Sequence, residues 1–521
     1  MDVQVDFDVV IIGSGFSGVG MAIGLQRTGR SFTVLEKASD IGGTWRDNRY
    51  PGCACDVPSH LYSFSFEPNP YWSRAYATRD EIQDYLLYVV EKYDVRKDVQ
   101  FETQVIGGVW DEGLLVWHLT LLRPDGSQQH VVAGSVVLGV GALHDPVLPD
   151  VPGLETFTGE VMHTATWDPG ASMFGRKVAI VGTGASAVQA IPSLAQDAEH
   201  LTVFQRTPAW VLPKVDPVYP EALHDAYEKW PWLMRAHRAK IRTANELRGY
   251  AFTKATSVLK ASSLVARANI GRSVKHPQLR DTLTPDYTMG CKRITFSNAY
   301  YPALARPDVH VETSPIAGAD DTGVTTADGA HHDLDVLIFA TGFDVAGSYR
   351  HLGFRGANGH DLADDWDGGI TSYYGVTVPH YPNLFFLLGP NTALGHTSVL
   401  LMIEAQIELT LRLLDELDAR RAASIEVREA VAEAHLAILD RRTQKSVWVA
   451  GGCDSWYLDQ FGRNRTLWPG SVPEYERRTR RAEMIDYEFT GSRDRLPADP
   501  LTGGRLARDR RGEDLMHRDL A

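Results

Sequence analysis

The 521-residue sequence predicts an α/β protein with two parallel-sheet domains and a helical insertion in the second domain. Two glycine-rich strand–turn–helix segments, FDVVIIGSGFSGVGMAIGLQRTG and RKVAIVGTGASAVQAIPSLA, indicate the two domains. A stretch rich in Ala, Leu, Arg and Lys, from about Pro217 to Lys275, has apolar residues at helical spacing and indicates the insertion.

Composition narrows the class of protein. A net charge of −14 disfavours a nucleic-acid partner, because like charges repel the phosphate backbone. No apolar run approaches the ~18 residues of a transmembrane helix. The first strand-like run begins at Phe7, which leaves no room for a signal peptide. Cys53, Cys55, Cys291 and Cys453 are too few and too scattered for a secreted disulfide framework, so we expect a reducing, cytoplasmic setting.

The first glycine loop carries G-x-G-x-x-G as Gly13, Gly15 and Gly18. The first glycine permits the turn, the second lets backbone approach a pyrophosphate, and the third lets helix pack on strand. The next strand, FTVLEK, ends at Glu36, where a carboxylate can accept hydrogen bonds from ribose hydroxyls. Since a 2′-phosphate would meet a like charge there, the loop predicts a Rossmann-like domain for FAD or NAD.

The second glycine loop has Gly182 and Gly184, with Ala187 in the third slot. At the end of the next strand, HLTVFQRTP, Arg206 and Thr207 replace the acid. Arginine binds a phosphate through parallel N–H bonds, which predicts NADPH at a second Rossmann-like domain. A solvated surface arginine is the alternative. Two different nucleotide sites imply electron transfer, with NADPH giving hydride to a flavin, here FAD.

The domain order follows from proline-rich crossings and apolar strands. Pro146, Pro149 and Pro152 mark the first crossing, and the strand-like runs LDVLIFATGF and NLFFLLGPN return the chain to the first domain. The predicted division is 1–148 and 379–490 for the FAD domain, 149–216 and 286–378 for the NADP domain, 217–285 for the helical insertion, and 491–521 for a flexible tail.

An aromatic segment, GGTWRDNRYPGCACDVPSHLYSFSF, surrounds one acid, Asp56, with residues such as Trp45 and Tyr62 that can cover an isoalloxazine ring. Cys53 and Cys55 raise the alternative of a redox disulfide beside the flavin. Their one-residue gap strains such a bridge, so we expect small buried thiols.

A second segment, MGCKRITFSNAYYPAL, has adjacent bases, Lys292 and Arg293. They are either a surface pair, or Lys292 binds a phosphate while Arg293 points toward the flavin.

Two long motifs carry a family resemblance. The pattern F-x-G-x-x-x-H-x-x-x-W followed by Pro or Asp is met by Phe157, Gly159, His163, Trp167 and Asp168. The pattern G-x-W-x-x-x-x-[FY]-P-[GM]-x-x-x-D is met by the residues Gly43, Trp45, Tyr50, Pro51, Gly52 and Asp56. Over roughly residues 5 to 490, the sequence resembles a type I Baeyer–Villiger monooxygenase of the class B flavoprotein monooxygenases.

The resemblance implies a reaction. A C4a-peroxyflavin would insert one atom of O2 beside the carbonyl of a small ketone, giving an ester or lactone, with sulfoxidation as a side activity. Sister enzymes that oxygenate amines and sulfides lack the final Trp167–Asp168 pair, which favours ketones here. An N- or S-oxygenating enzyme stays the alternative, and a nucleotide-binding protein without turnover is a third. We expect a monomer or a weak oligomer.

The resemblance also implies residue roles. Arg293 matches the family's active-site arginine and Asp56 its acidic partner. Trp456 resembles the tryptophan of a mobile loop that closes over nicotinamide. The remaining implied cofactor contacts are Thr44, Trp45 and Tyr62 for the flavin, and Lys292, Arg206 and Thr207 for the 2′-phosphate. His163 has no apparent catalytic partner, so we expect packing or hinge roles for it rather than chemistry.

Overall fold

The computed structural model describes residues 4–345, 347, 349–367, 369 and 371–492. The tail predicted to be flexible, 491–521, lies outside the described residues from residue 493 onward.

The strands of the described residues are short and mostly buried. Their bounds are β1 Phe7–Ile12, β2 Phe32–Leu35, β3 Val99–Gln100, β4 Gln104–Asp111, β5 Val116–Leu122, β6 Gln128–Leu138, β7 Glu160–His163, β8 Lys177–Val181, β9 His200–Phe204, β10 Val211–Leu212, β11 Thr295–Phe296, β12 Val309–Glu312, β13 Ile316–Ala319, β14 Gly323–Thr326, β15 His331–Asp333, β16 Val336–Phe339, β17 Phe354–Arg355, β18 Leu384–Phe386, β19 Ser424–Val427 and β20 Tyr487–Thr490.

The helices of the described residues lie between these strands, and four of them follow one another in the middle of the chain. Their bounds are α1 Phe16–Gln26, α2 Thr44–Asp47, α3 Arg79–Lys92, α4 Ala185–Asp197, α5 Glu221–Lys229, α6 Pro231–Thr253, α7 Thr256–Ser273, α8 Pro277–Thr282, α9 Tyr300–Leu304, α10 Leu362–Asp367, α11 Leu400–Arg420, α12 Glu429–Thr443, α13 Val447–Ala450 and α14 Val472–Arg480.

The first sheet has the order β17-β4-β5-β6-β1-β2-β3, and β18 also pairs with β6. Strands β6, β1, β2 and β3 are parallel, as a strand–turn–helix repeat requires. Helix α1 packs closely on α11. A Cβ on Gly20 would lie 2.9 Å from Ile407, and one on Gly24 would lie 3.0 Å from Leu411, so these glycines permit the close approach.

The second sheet is wholly parallel, in the order β12-β9-β8-β16-β7. Its central strand β8 follows the crossing from the first domain, and β16 returns the chain toward it. Val178 and Ile180 of β8 and Val336 and Ile338 of β16 are fully buried, as expected for a parallel sheet covered on both faces.

Helices α5 to α8 form the insertion between β10 and β11. The insertion is anchored to the aromatic segment of the first domain through Arg238 of α6. Its guanidinium donates to the carbonyl oxygens of His60 and Ser63 and to the Ser63 hydroxyl. These hydrogen bonds hold the insertion against the segment that was predicted to cover the flavin.

The parallel core of the first sheet, the parallel second sheet and the helices between β10 and β11 confirm the predicted fold class. The exact domain boundaries stay predictions. Within the described part of the chain, no helix combines the length and apolar character required to cross a bilayer.

Candidate active site

One cavity of about 1280 Å³ is lined by residues that follow the strands of both sheets. Its volume exceeds that of a pocket for one drug-sized ligand, for which roughly 300–1,000 Å³ is typical. The predicted site residues that line it are Gly13, Gly15, Glu36, Thr44, Trp45, Asp56, Tyr62, Gly182, Gly184, Arg206, Thr207, Lys292, Arg293 and Trp456. Tertiary packing thus brings the two glycine loops and the candidate catalytic pair to one space.

The first glycine loop connects β1 to α1, and its three glycines have the separate roles that the sequence predicted. Gly13 has φ +98°, and a Cβ on Gly18 would lie 1.8 Å from the Gly13 carbonyl oxygen. Gly18 therefore acts in packing and does not line the cavity. At Gly15 the nearest atoms would lie 3.9 Å from a Cβ, so backbone N–H groups at the start of α1 have open space before them.

Glu36 follows β2 and faces this loop. Its Oε2 accepts hydrogen bonds from the backbone N–H and the hydroxyl of Ser14, at 2.9 and 2.8 Å. Arg46 lies 3.3 Å from Oε1. The carboxylate is thus held at the end of β2, beside the turn into α1, where the sequence predicted a ribose contact.

The second glycine loop connects β8 to α4. Gly182 has φ +128°, and a Cβ there would lie 2.4 Å from the Ala340 carbonyl oxygen. Ala187 is fully buried in α4, so its methyl group packs inside the domain rather than lining the cavity. A Cβ on Gly184 would meet nothing within 4 Å, which leaves the start of α4 open.

Arg206 and Lys292 come together beside this second loop. Burial, and then repulsion from Arg206, lowers the pKa of Lys292, while Asp454 acts in the opposite direction. The Thr183 hydroxyl donates to the Thr207 carbonyl oxygen at 2.7 Å, which fixes the Arg206–Thr207 turn to the glycine loop. Arg206 and Lys292 thus place two cations on the wall of one cavity, an arrangement that favours an anionic ligand.

Asp56 and Arg293 form a bidentate ion pair on the cavity wall. Nε donates to Oδ2 at 2.6 Å, and Nη2 donates to Oδ1 at 2.7 Å. Burial alone would raise the pKa of Asp56, but the charge and hydrogen bonds of Arg293 outweigh it and hold that pKa below its usual value. The Asp56 charge in turn raises the pKa of Arg293. Both groups are therefore ionised at any working pH.

Trp45 and Tyr62 form the aromatic part of the wall near this pair. The Trp45 indole N–H donates to the Tyr62 hydroxyl at 3.1 Å, and the rings meet edge to face. Phe16, at the start of α1, packs against Tyr62 at 5.6 Å between centroids. These rings link the first glycine loop to the aromatic segment.

The residues of the long family motif lie around β7, at the edge of the second sheet. Phe157 is buried, and a Cβ on Gly159 would lie 2.3 Å from its ring. The ring nitrogen Nδ1 of His163 accepts from the Ala165 N–H at 3.0 Å, and burial lowers the pKa of this imidazole. Trp167 is buried, and Asp168 accepts from the Gly170 N–H at 2.8 Å.

His163 is thus a neutral group that shapes the turn after β7, and it does not line the cavity that contains the Asp56–Arg293 pair. Ala165, Thr166 and Trp167 share a small cleft with Lys37, Arg46 and neighbouring residues of the first domain. The motif accordingly lies where the two domains meet, as its position between the glycine loops suggested.

Gln189 is a contact between the domains that the sequence did not reveal. Its side chain in α4 accepts from the Tyr50 hydroxyl at 2.8 Å and donates to the Ala54 carbonyl oxygen at 2.9 Å. The matching groups lie more than 130 residues away, so no local pattern signals them. The Tyr50 side of this contact does belong to the second family pattern.

The cysteines differ from the expectation in one respect. Cys53 and Cys55 are free and buried, and burial raises the pKa of Cys53 to about 11, which disfavours redox chemistry at this pair. Cys291 and Cys453, however, form a disulfide across 162 residues of sequence. A count of scattered cysteines could not find it, because only the fold brings these two together.

Comparisons with known proteins agree with this geometry. Residues 7–351 match the family model described as flavin-binding monooxygenase-like. A Baeyer–Villiger monooxygenase of Streptomyces coelicolor is 42% identical over 510 residues, covering 97% of this chain and 96% of the relative. A Baeyer–Villiger monooxygenase of Pseudomonas aeruginosa is 42% identical over 484 residues, covering 92% and 91%.

Among solved structures, cyclohexanone monooxygenase from Rhodococcus sp. Phi1 bound to NADP+ superposes with a TM-score of 0.83 at 30% identity, covering 94% of this chain and 100% of the other. The two glycine loops, the Asp56–Arg293 ion pair and the similarity over most of the chain all indicate the same family. The protein belongs to the flavin-binding monooxygenase-like family.

Proposed function

We propose that the protein is an FAD- and NADPH-dependent Baeyer–Villiger monooxygenase that inserts one oxygen atom of O2 next to a ketone carbonyl to give an ester or lactone. The observation that carries this proposal is the Asp56–Arg293 ion pair, which opens into the same cavity as both glycine loops. The relatives named Baeyer–Villiger monooxygenase support it over most of their length.

The residues around the first loop fit FAD. The open backbone at Gly15 suits a pyrophosphate, and Glu36 suits the hydroxyls of the adenosine ribose, which would share or replace the donors of Ser14. Trp45 and Tyr62 offer a rigid aromatic wall for the isoalloxazine ring.

The residues around the second loop fit NADPH rather than NADH. A 2′-phosphate between Arg206 and Lys292 would offset the burial and the repulsion from Arg206 that lower the pKa of Lys292. The N–H groups at the start of α4 would bind the pyrophosphate. When bound, the two cofactors supply the hydride and the activation of O2; the remaining steps are the task of the protein's own groups.

Arg293 is the candidate for stabilising negative charge. When a nucleophilic oxygen adds to the ketone carbonyl, the carbonyl oxygen becomes negative, and a fixed cation beside it lowers the barrier. The guanidinium stays protonated, since the neighbouring carboxylate raises its pKa. We assign it this role, and not proton transfer, because a group that never deprotonates cannot act as a base.

Asp56 is the candidate positioning group for that cation. Its bidentate contact uses Nε and Nη2, which leaves Nη1 to point elsewhere; Nη1 lies 3.4 Å from the Leu394 carbonyl oxygen. The carboxylate therefore fixes the plane of the guanidinium before substrate arrives. Preorganisation of this kind avoids reorientation during the reaction.

Trp456 lies at the rim of the cavity and is 44% exposed. Its loop is suited to cover the nicotinamide end of the second nucleotide and to exclude water from the reacting atoms. Tyr457 next to it is buried, which anchors the loop at its base.

The decisive experiment is a screen of cyclic, linear and aryl ketones with purified protein, FAD and NADPH under 18O2, followed by mass spectrometry. We expect an ester or lactone that carries one 18O atom and forms in proportion to NADPH consumed. Thioethers and tertiary amines form the second arm of the screen. Oxygenation of those compounds without formation of an ester or lactone from any ketone would contradict the proposal and indicate an S- or N-oxygenase.

The finer expectations on partners and setting stay part of this proposal. They are a small ketone and O2 as reactants, no nucleic acid, a monomer or weak oligomer, and a cytoplasmic location. Sulfoxidation as a side activity belongs here too, and the thioether arm of the screen tests it.

A further inference from the structure

The Cys291–Cys453 disulfide joins two segments that both carry candidate site residues. Cys291 is fully buried and directly precedes Lys292 and Arg293. Cys453 is partly exposed and lies three residues before Trp456. The bond thus connects the cationic wall of the cavity to the loop at its rim.

Both ends of the bond are held by further contacts. The Thr288 N–H donates to the Gly451 carbonyl oxygen at 3.2 Å. A Cβ on Gly451 would lie 2.9 Å from Cys291 Sγ, so only glycine lets the loop backbone approach this closely. Phe252 and Trp448 stack nearby in the same apolar cluster. The disulfide therefore lies against a packed apolar cluster.

The residues directly after Cys453 face the proposed nucleotide site. Asp454 lines the same cavity as Lys292, and its charge acts against the burial that lowers the Lys292 pKa. Tyr457 is buried beside Arg293, whose charge acts against the burial that raises the Tyr457 pKa to about 12. Between these two contacts, Trp456 lines the rim of the cavity and is 44% exposed.

We infer that the Cys291–Cys453 disulfide is a positioning device that holds the Asp454–Trp456 loop over the NADP site, and that its reduction releases this loop. The inference rests on the proposed function of the second glycine loop as an NADP site. A tethered loop loses less conformational freedom when it closes on the nucleotide, so the bridged form binds NADP more tightly.

The same bond is chemically accessible from one side. A thiolate of a dithiol reductant attacks Sγ of Cys453, the partly exposed partner, and Cys291 leaves as the thiolate. The second thiol of the reductant then resolves the mixed disulfide. The two electrons and two protons lost by the dithiol appear on Cys291 and Cys453 as two thiols. Because such bonds in reducing compartments are usually transient, the bridge would report the thiol–disulfide balance around the enzyme.

The first measurement is peptide mapping of the FAD-loaded protein after alkylation without reductant. We expect the peptides of Cys291 and Cys453 to be linked, while those of Cys53 and Cys55 carry alkyl groups only after unfolding. An unlinked pair in protein purified and oxidised with a disulfide reagent overturns the inference at its first step.

The second measurement compares the NADP+ dissociation constant of bridged and dithiothreitol-reduced protein by calorimetry. We expect reduction of the disulfide to raise the NADP+ dissociation constant by about fivefold and to leave the FAD content unchanged. Reoxidation should restore the original NADP+ affinity. A bridge with a merely structural role would leave NADP+ binding unchanged, or would lose FAD and NADP+ together. Equal NADP+ affinity of the two forms therefore refutes the positioning role.

Variant Cys453→Ser is the matched control, because its partly exposed site tolerates the change better than buried Cys291. It should bind NADP+ like the reduced wild type and show no response to dithiothreitol. The amount of hydrogen peroxide released per NADPH consumed should rise in both. None of the binding measurements requires ketone turnover, so failure of the proposed reaction and failure of this inference give different results.

Discussion

Arg206 and Lys292, 86 positions apart in the sequence, lie close enough in the structure for the charge of one to lower the pKa of the other. Neither residue is remarkable as a type, and the pairing depends on the turn after β9 reaching the segment before β11. Two neighbouring cations favour an anionic ligand at the second glycine loop, and this can be tested at each of the two residues.

Replacement of Arg206 by alanine should raise the KM for NADPH by about 10- to 100-fold and leave the KM for NADH nearly unchanged. A charge-assisted hydrogen bond to phosphate contributes roughly 1.5–3 kcal/mol, and NADH has no 2′-phosphate to lose it. Steady-state kinetics with both nucleotides provide the measurement, with Arg272→Ala on the exposed face of α7 as control. Equal losses with both nucleotides would show that Arg206 does not read the phosphate.

The KM for NADPH should also rise with pH in the alkaline range. Free Lys292 has a pKa below its ordinary value of 10.5, and a bound phosphate favours the protonated amine, so binding takes up a proton. Affinity is then full below the pKa of the free enzyme and falls as the pH rises through it. Lys292→Arg should flatten this profile, since arginine stays charged. An identical profile in that variant would assign the pH effect to another group.

Replacement of Arg293 by alanine should preserve flavin reduction by NADPH but lower ester formation by about 100-fold or more. The variant removes the cation beside the developing negative oxygen, whereas hydride transfer does not require it. Rapid-mixing absorbance of the flavin and product analysis separate the two steps. The control is Arg355→Ala, which breaks an exposed ion pair with Asp361. Undiminished ketone oxidation by the Arg293 variant would refute the assignment.

Replacement of Gly18 by alanine should abolish FAD binding, because the new methyl group would lie 1.8 Å from the Gly13 carbonyl oxygen. The start of α1 would have to move away from β1. Gly271→Ala in α7 is the matched control, since its Cβ would meet nothing within 4 Å and alanine favours helix by about 0.5–1 kcal/mol. Flavin content after purification and thermal unfolding measure both effects. A Gly18 variant that retains full flavin would contradict the proposed close packing.

Mild acid should destabilise the protein through His60. Burial, followed by the charges of His237 and Arg238, lowers the pKa of His60 to about 3. In the unfolded chain His60 takes up a proton near pH 6.5, whereas in the folded protein it stays neutral down to about pH 3. The free energy of unfolding therefore keeps its full value above pH 6.5 and decreases as the pH falls toward 3. The loss is about 2 kcal/mol at pH 5. Urea unfolding at pH 7 and pH 5 measures it.

The His60→Asn variant should lose this share of the pH dependence, whereas His130→Gln at an exposed site should keep it. A pH dependence of His60→Asn equal to that of the wild type would mean that His60 is protonated in the native protein.

The local motifs could be interpreted from the sequence because each one depends only on the conformation of the backbone within a few residues. Gly13, Gly15 and Gly18 must stand at fixed spacing for a strand, turn and helix to pack, and the structure has β1 and α1 there. Glu36 and Arg206 follow β2 and β9 in their respective domains, and their opposite charges led us to predict a different nucleotide for each loop. The family motif was equally local.

The sequence alone thus determined the α/β fold class, the family, and the residue types at each glycine loop. Only the tertiary structure decided which of them meet: Arg293 with Asp56 across 237 residues, and Cys291 with Cys453 across 162. The physical reason is the distance along the chain over which each kind of interaction acts. Backbone geometry and hydrophobic period act over one strand and one helix, whereas an ion pair or a disulfide forms only after the packing of distant elements has fixed both side chains within bonding distance.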